Sequence, residues 1–176
     1  MAETQLPEPW LRGTLADVPA VQRAVLHALE LAKEDLEKWC GNLSAAELNT
    51  RPGNLAPIAF HIRHIARSID RLLSYAEGTE LSHAQMDALR SELVSGAGRD
   101  ELFAELAGAL EKGASRVRAF DASQLEESRA VGKKRLPATV GGLLVHIAEH
   151  AQRHVGQAIT TAKIIVASRE ITGVRR

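Results

Sequence analysis

The sequence has little cysteine, few aromatic residues and no excess charge. Its 176 residues include a single cysteine, Cys40, so no intramolecular disulfide can form, and no CxxC motif is present. Lysine plus arginine and aspartate plus glutamate each number 22, so the formal net charge is zero and nucleic acid is not an expected partner. Aromatic residues make up 3% of the chain, while alanine and leucine are common, which favours helices over sheets.

The sequence also lacks long apolar runs. No stretch approaches the roughly 20 apolar residues of a membrane-spanning helix. The N-terminal residues, MAETQLPEPW, are polar and contain prolines, unlike a secretory signal peptide. These absences predict a cytoplasmic protein that does not enter the membrane, and the length predicts a single domain over residues 1–176.

Apolar residues recur at intervals of three and four through four long segments, which is the pattern of amphipathic helices. Two shorter helices are predicted by capping-box spacing, in which a serine precedes a glutamate or glutamine by three residues. We therefore predict an all-α fold, a four-helix bundle with short extra helices. The predicted long helices run from about 17 to 40, 57 to 78, 100 to 120 and 139 to 168, and the capping boxes begin at Ser44 and Ser82.

The remaining segments carry residues that disfavour helix. Pro7 and Pro9 predict an extended N-terminal segment over residues 1–16. Gly132, followed by a short basic run, predicts a loop over 121–137, and the tail, 169–176, is expected to fray. The sequence shows no strand pattern.

Histidines on the last long helix have the spacing of metal ligands. His146, His150 and His154 follow one another at intervals of four residues, which places them on one face of a helix. Measured from the centre of the apolar stripe, His154 lies roughly 70° away, His150 roughly 110° and His146 roughly 150°. His150 and His154 are therefore expected at the margin of the core, while His146 points toward solvent.

The second long helix carries another pair, His61 and His64. His61 lies roughly 90° from the centre of the apolar stripe and His64 roughly 150°, so periodicity alone favours His61 as a ligand. However, Phe60 and Tyr75 lie on the side of His64, so that side is not plainly solvent-exposed. The helical wheel leaves the choice open. The other histidines, His27 and His83, have no histidine neighbour and are interpreted as ordinary.

Two segments resemble a known family. The segment 57–71, PIAFHIRHIARSIDR, is similar to the first metal-ligand region of DinB-like (DinB/YfiT) proteins, and HAQRHVGQ, 150–157, is similar to their closing HxxxH. The resemblance implies a four-helix bundle, commonly dimeric, that holds a metal through one histidine of the second helix and two of the fourth. Residue by residue, these ligands fall on His64, His150 and His154, with His61 as the runner-up; Pro57 replaces a serine common in relatives and leaves the helix start uncertain.

The resemblance also implies a chemistry. Three neutral imidazoles leave a divalent metal, zinc or nickel, with an open coordination position. The family includes thiol-dependent S-transferases and a mycothiol-dependent isomerase, so our leading hypothesis is a metal-dependent transferase that activates a low-molecular-weight thiol. The alternative is a non-catalytic, stress-associated helical protein in which the metal is structural or absent.

Several charged residues flank the proposed ligands. Arginines could bind the carboxylates of a small thiol, and the candidates are Arg67, Arg71 and Arg153. They could equally be solvated or paired with Asp70 and Glu149. Glu149 is also a candidate to orient a histidine. The sequence does not identify the catalytic residues.

Overall fold

A computed structural model describes residues 6–94 and 96–171 of the chain. Within these residues, four long helices account for most of the structure, and shorter helices and 3-10 turns connect them. The long helices are α1 (Ala20–Cys40), α3 (Ile58–Ala76), α5 (Arg99–Arg118) and α6 (Val140–Ile171); the shorter ones are α2 (Ala45–Leu48) and α4 (His83–Arg90); 3-10 turns span Pro9–Leu11, Pro52–Asn54 and Ala122–Gln124.

The four long helices form a closed ring around one core. Helices α1 and α3 each pack against both α5 and α6, so the order around the ring is α1, α6, α3, α5. One cluster of buried apolar side chains, drawn from all four helices, fills the interior. The predicted all-α four-helix bundle is thus confirmed.

Helices α3 and α5 approach each other closely at a glycine. A Cβ atom added to Gly113 would lie 2.7 Å from Cγ2 of Ile69, which is closer than carbon atoms can pack. Glycine at this position therefore allows the two backbones to approach. The close contact fixes the position of α3, the helix that carries His61 and His64.

The helix starts differ from the predictions by one to three residues. Pro57 and Gly98 occupy the N-cap positions of α3 and α5, while Asp100 lies in the first turn of α5 instead of capping it. The capping boxes at Ser44 and Ser82 are both present, and each serine accepts a hydrogen bond from the backbone three residues later.

The connection between α5 and α6 contains a β-hairpin that the sequence analysis did not predict. β1 (Ser128–Val131) pairs antiparallel with β2 (Leu136–Thr139), and Gly132 begins the turn with a positive φ of 67°. The prediction of a strand-free loop over 121–137 is wrong for this part. Strands of four residues are too short to show a clear alternation of apolar and polar residues. Pro137 in β2 also weakens the pattern, because proline is rare within strands.

The N-terminal segment contacts α1. Pro9–Leu11 forms a 3-10 turn inside the segment predicted as extended, because proline suits the first position of a helical turn. Arg12 then donates from both terminal nitrogens to the carboxylate of Glu34, at 2.6 and 2.8 Å. At the other end, α6 continues to Ile171, and the rest of the tail predicted to fray lies outside the described residues. Across the described ranges, no helix combines the length and apolar character needed to cross a membrane.

Candidate metal centre

Three imidazoles from two helices converge between α3 and α6. His64 comes from α3, His150 and His154 come from α6, and one nitrogen from each lies within 4.8 Å of the others. The Nε2 atoms of His64 and His150 are 2.8 Å apart. Two nitrogens bound to one tetrahedral zinc lie about 3.4 Å apart, so small side-chain shifts would bring this set onto one ion. The structure therefore brings together the three histidines that the resemblance had singled out.

A buried carboxylate that the sequence analysis missed contacts His64. Glu92 follows α4, is 4% exposed, and its Oε2 lies 2.7 Å from Nδ1 of His64. A carboxylate can only accept here, so the His64 proton resides on Nδ1. The other ring nitrogen, Nε2, faces His150. A carboxylate behind a histidine in this way is the usual second shell of a metal-binding imidazole.

Glu92 is held in turn by Arg71. Nη1 of Arg71 donates to the second carboxylate oxygen of Glu92 at 2.7 Å, and Arg71 is only 8% exposed. Burial acts to raise the pKa of Glu92, but hydrogen bonds with His64 and Arg71 outweigh it, so the pKa lies below its ordinary value. Glu92 is therefore a charged carboxylate at neutral pH, fixed between an arginine and a histidine.

His61 contacts the site but does not join the cluster. Its Nδ1 lies 3.0 Å from Nδ1 of His154, and the residue is 5% exposed. Phe60 packs against His64 and His154. It stacks on His64 with ring centroids 5.2 Å apart and meets His154 edge-on at 6.2 Å. His61 thus contacts His154 on α6, whereas His64 contacts both His150 and His154.

Three of the imidazoles, those of His61, His150 and His154, are held neutral. Burial, reinforced by the charges that the neighbouring histidines would carry, lowers the pKa of His61 to about 4. Burial likewise lowers the pKa of His150 and of His154 to about 4 each, with His64 and Arg153 contributing to both. Neutral rings keep the lone pairs that a metal requires. In addition, Nδ1 of His150 is buried without a hydrogen-bond partner among the described residues. These donors suit a divalent cation.

Glu149 does not orient a histidine of this cluster. It pairs with Arg153 one helical turn later, and its nearest histidine is His146, at 3.5 Å from Nδ1. Both partners lie on the partly exposed face of α6. The histidine that Glu149 contacts is therefore outside the cluster, and the carboxylate that contacts a clustered histidine is that of Glu92. Glu92 is 28 residues from His64 in sequence, and no periodic pattern links the two.

The arginines near the site are engaged with acidic residues. Arg67 binds Glu105 and also donates to the carbonyl of Ala88. Arg63, which is 8% exposed, donates to the carbonyl of Val94 and so fixes the loop that follows Glu92. These contacts match the alternative in which arginines pair within the protein, although for Arg67 and Arg71 the partners are Glu105 and Glu92, not the predicted acids.

The comparisons with known proteins agree with this architecture. The sequence model of the DinB superfamily matches residues 28–158, a range that includes all of the clustered histidines. The crystal structure of a conserved protein from Enterococcus faecalis is similar with a TM-score of 0.67 and 22% sequence identity, covering 85% of this chain and 99% of that one. No curated protein matches the chain. Because the family match spans well over half of the sequence, the chain belongs to the DinB superfamily.

Proposed function

We propose that the protein binds one divalent metal ion, zinc or nickel, through His64, His150 and His154, and uses it to transfer a low-molecular-weight thiol to an electrophile. The observation that carries the proposal is the convergence of three imidazole nitrogens within 4.8 Å of one another. Membership of the DinB superfamily adds support. When bound, such an ion would lower the pKa of a coordinated thiol, so that the thiolate forms at neutral pH.

The residues of the chain prepare the site for this reaction. Glu92 keeps the proton of His64 on Nδ1 and leaves Nε2 free to coordinate. Phe60 stacks on the ring of His64 and meets the ring of His154 edge-on. In the overall reaction, the thiol releases its proton to solvent, its sulfur forms a bond to the electrophilic carbon, and the leaving group departs with its electron pair.

A carboxylate of the thiol would be recognised by an arginine near the metal ligands. Of the three predicted candidates, Arg153 has the most accessible side chain, with 52% exposure, and it lies one residue before His154. Its partner Glu149 is 57% exposed, so a substrate could displace it at little cost. The side chains of Arg67 and Arg71 are much less accessible, at 18% and 10% exposure. Arg153 is therefore our preferred substrate contact.

The second expected partner is another copy of the chain. Homodimers are common in the family, and the segment that carries Glu92 presents exposed apolar side chains. Leu93 is 56% exposed and Val94 is 61% exposed. Side chains of this kind are often covered by a partner. Light scattering coupled to size exclusion, at several protein concentrations, would measure the oligomeric state.

The decisive experiment combines metal analysis with a conjugation assay. Protein purified without a metal-affinity tag should contain about one zinc or nickel per chain and should conjugate a small thiol to an electrophile such as a chloro-dinitroarene. Chelation should abolish turnover, and added metal should restore it. A bound metal that raises the thermal midpoint without any turnover, across several thiols, would instead favour the non-catalytic, stress-associated alternative.

A further inference from the structure

A cleft between α3, α4 and α5 lies apart from the three clustered histidines. It encloses about 440 Å³, and its lining includes the small residues Ala66, Ala104 and Gly108. Four cationic side chains border it: Arg67, Arg71, Lys112 and Arg116. The acidic residues that line the cleft, Asp70 and Glu105, are already paired with Arg116 and Arg67.

Two of the arginines that border the cleft bind carboxylates of the protein itself. Arg67 donates hydrogen bonds to the carboxylate of Glu105 from Nε at 2.6 Å and from Nη2 at 3.4 Å. Arg116 grips Glu77 in the same way, through Nε and Nη2 at 2.7 Å each. In both cases the two nitrogens on one edge of the guanidinium meet the two oxygens of a carboxylate, which is the favoured bidentate geometry. Their Nη1 atoms also have partners, so neither arginine can take a further ligand.

Arg71 differs from Arg67 and Arg116 because no carboxylate of the described residues binds the Nε–Nη2 edge of its guanidinium. Its Nη1 donates to Glu92, but Nε and Nη2 have no hydrogen-bond partner among residues 6–94 and 96–171. The residue is more than nine-tenths buried, at 8% exposure, and it lines the cleft. Nearby, Lys112 makes no ion pair or hydrogen bond with any described residue and is exposed at the rim.

We propose that this cleft binds a small carboxylate-bearing molecule, whose carboxylate occupies the Nε–Nη2 edge of Arg71 while Lys112 supplies a second positive charge. The ligand would reproduce at Arg71 the bidentate contact that Glu105 makes with Arg67. The small lining residues leave room for the carbon skeleton of the ligand. The proposal does not depend on the transferase reaction, since the site can be titrated in metal-free protein.

The site is connected to the histidine cluster by a chain of hydrogen bonds. Arg71 holds Glu92 through Nη1, and Glu92 holds His64 through its other oxygen. A carboxylate bound to Arg71 would compete with Glu92 for the positive charge of the guanidinium. This competition would change the strength of the Glu92–His64 contact. Such coupling is reciprocal, so a metal ion at His64 would change carboxylate affinity by the same factor that the carboxylate changes metal affinity.

Succinate is a suitable probe, titrated into the full-length protein and followed by amide chemical shifts and calorimetry. We expect saturable binding, with the largest shifts in α3 and α5 around Arg71 and Gly108. The Gly108→Leu variant should weaken binding at least about tenfold, because its side chain would fill the cleft. A Cβ atom at Gly108 meets nothing within 4 Å, and leucine is a better helix former, so the fold should tolerate the change.

Matched variants separate the cleft from general effects. Ala107→Leu adds the same side chain to the exposed neighbour of Gly108, outside the cleft, and should bind succinate like the parent chain. Arg71→Lys keeps the charge but removes the two-nitrogen edge, and should also lose about tenfold or more. The proposal is overturned if succinate does not saturate, if Gly108→Leu and Arg71→Lys both bind as the parent does, or if inorganic phosphate binds more tightly than succinate.

Discussion

The two sides of the histidine cluster differ in how firmly their imidazoles are held. On the α3 side, His64 is fixed by a buried charged carboxylate, Glu92, and by a stacked ring, Phe60. On the α6 side, Nδ1 of His154 lies beside the ring nitrogen of His61, and His150 has a buried Nδ1 with no hydrogen-bond partner in the described ranges. The α3 imidazole is oriented by a carboxylate before any ion arrives, whereas the α6 imidazoles have close nitrogen contacts only with other histidines in the described ranges, His150 with His64 and His154 with His61.

This difference indicates where a metal would contribute most. A preorganised ligand loses little conformational freedom on binding and therefore adds more to affinity. Without an ion, the neutral α6 imidazoles have nitrogens that coordinate nothing. A metal would be coordinated by these nitrogens and would link α6 to α3. We expect substitutions on the α6 side to act mainly on metal binding, and substitutions behind His64 to act on both affinity and stability.

The largest effect is expected from removing a ligand on either side. His64→Ala and His154→Ala should each reduce bound metal to less than about a tenth of an ion per chain, because two imidazoles hold a divalent ion poorly. Without metal, His64→Ala should lower the thermal midpoint more, since it leaves the buried Glu92 short of one donor. Elemental analysis and thermal melts would measure the two quantities.

His83→Ala is the matched control for both variants, because His83 lies on the exposed face of α4. It should retain the metal and the thermal midpoint of the parent chain. Full metal occupancy in His154→Ala would contradict the proposed ligand set and would return His61 to consideration as the third ligand.

A smaller effect is expected from the carboxylate behind His64. Glu92→Gln keeps the shape of the side chain but loses its charge, so it should weaken metal affinity by about 10- to 100-fold. The metal-free variant should also melt at a lower temperature, because Arg71 would keep its charge without a buried counter-ion. Competition with a chromogenic chelator would give the affinity.

Glu149→Gln provides the comparison for that variant, since Glu149 pairs with Arg153 on the exposed face of α6. It should leave the metal affinity within about twofold of the parent value. Equal losses in the two glutamine variants would mean that charge near the site, and not the contact with His64, sets the affinity.

The sequence was sufficient to predict the long helices and most of their packing. Their apolar repeats extend over five or more turns, which is long enough for the helical period to be unmistakable. Helix starts were less accurate at Pro57 and Gly98, because residues other than the favoured polar caps can occupy the N-cap position. The hairpin was missed since its four-residue strands carry too little pattern.

The histidine cluster shows where periodicity stops being informative. The helical wheel placed His61 nearer the core than His64, and His61 is indeed buried at 5% exposure. Burial, however, does not decide which imidazole faces α6 at the point of convergence. That depends on the packing of α3 against α6 and on Glu92, which arrives from a loop after α4. Only the family resemblance singled out His64, and its role as a ligand stays a prediction.

The smallest effect that distinguishes the two sides is expected from pH. The pKa values of His61, His150 and His154 are lowered to about 4, so the folded protein leaves these rings neutral down to that pH. Unfolded histidines take up protons below their ordinary pKa of about 6.5. Between these limits the unfolded state binds more protons, so the free energy of unfolding must fall as the pH is lowered.

We therefore expect the thermal midpoint of the metal-free protein to fall by about 3 to 10 °C between pH 7 and pH 5 and to change little between pH 7 and pH 8. The carboxylate of Glu92, with its lowered pKa, titrates below this window and does not contribute. His61→Leu removes one of the three neutral rings and should make the decline shallower. A midpoint that stays constant down to pH 5 would mean that the α6 imidazoles take up protons freely in the folded state, and that this side of the cluster is not held apart from water.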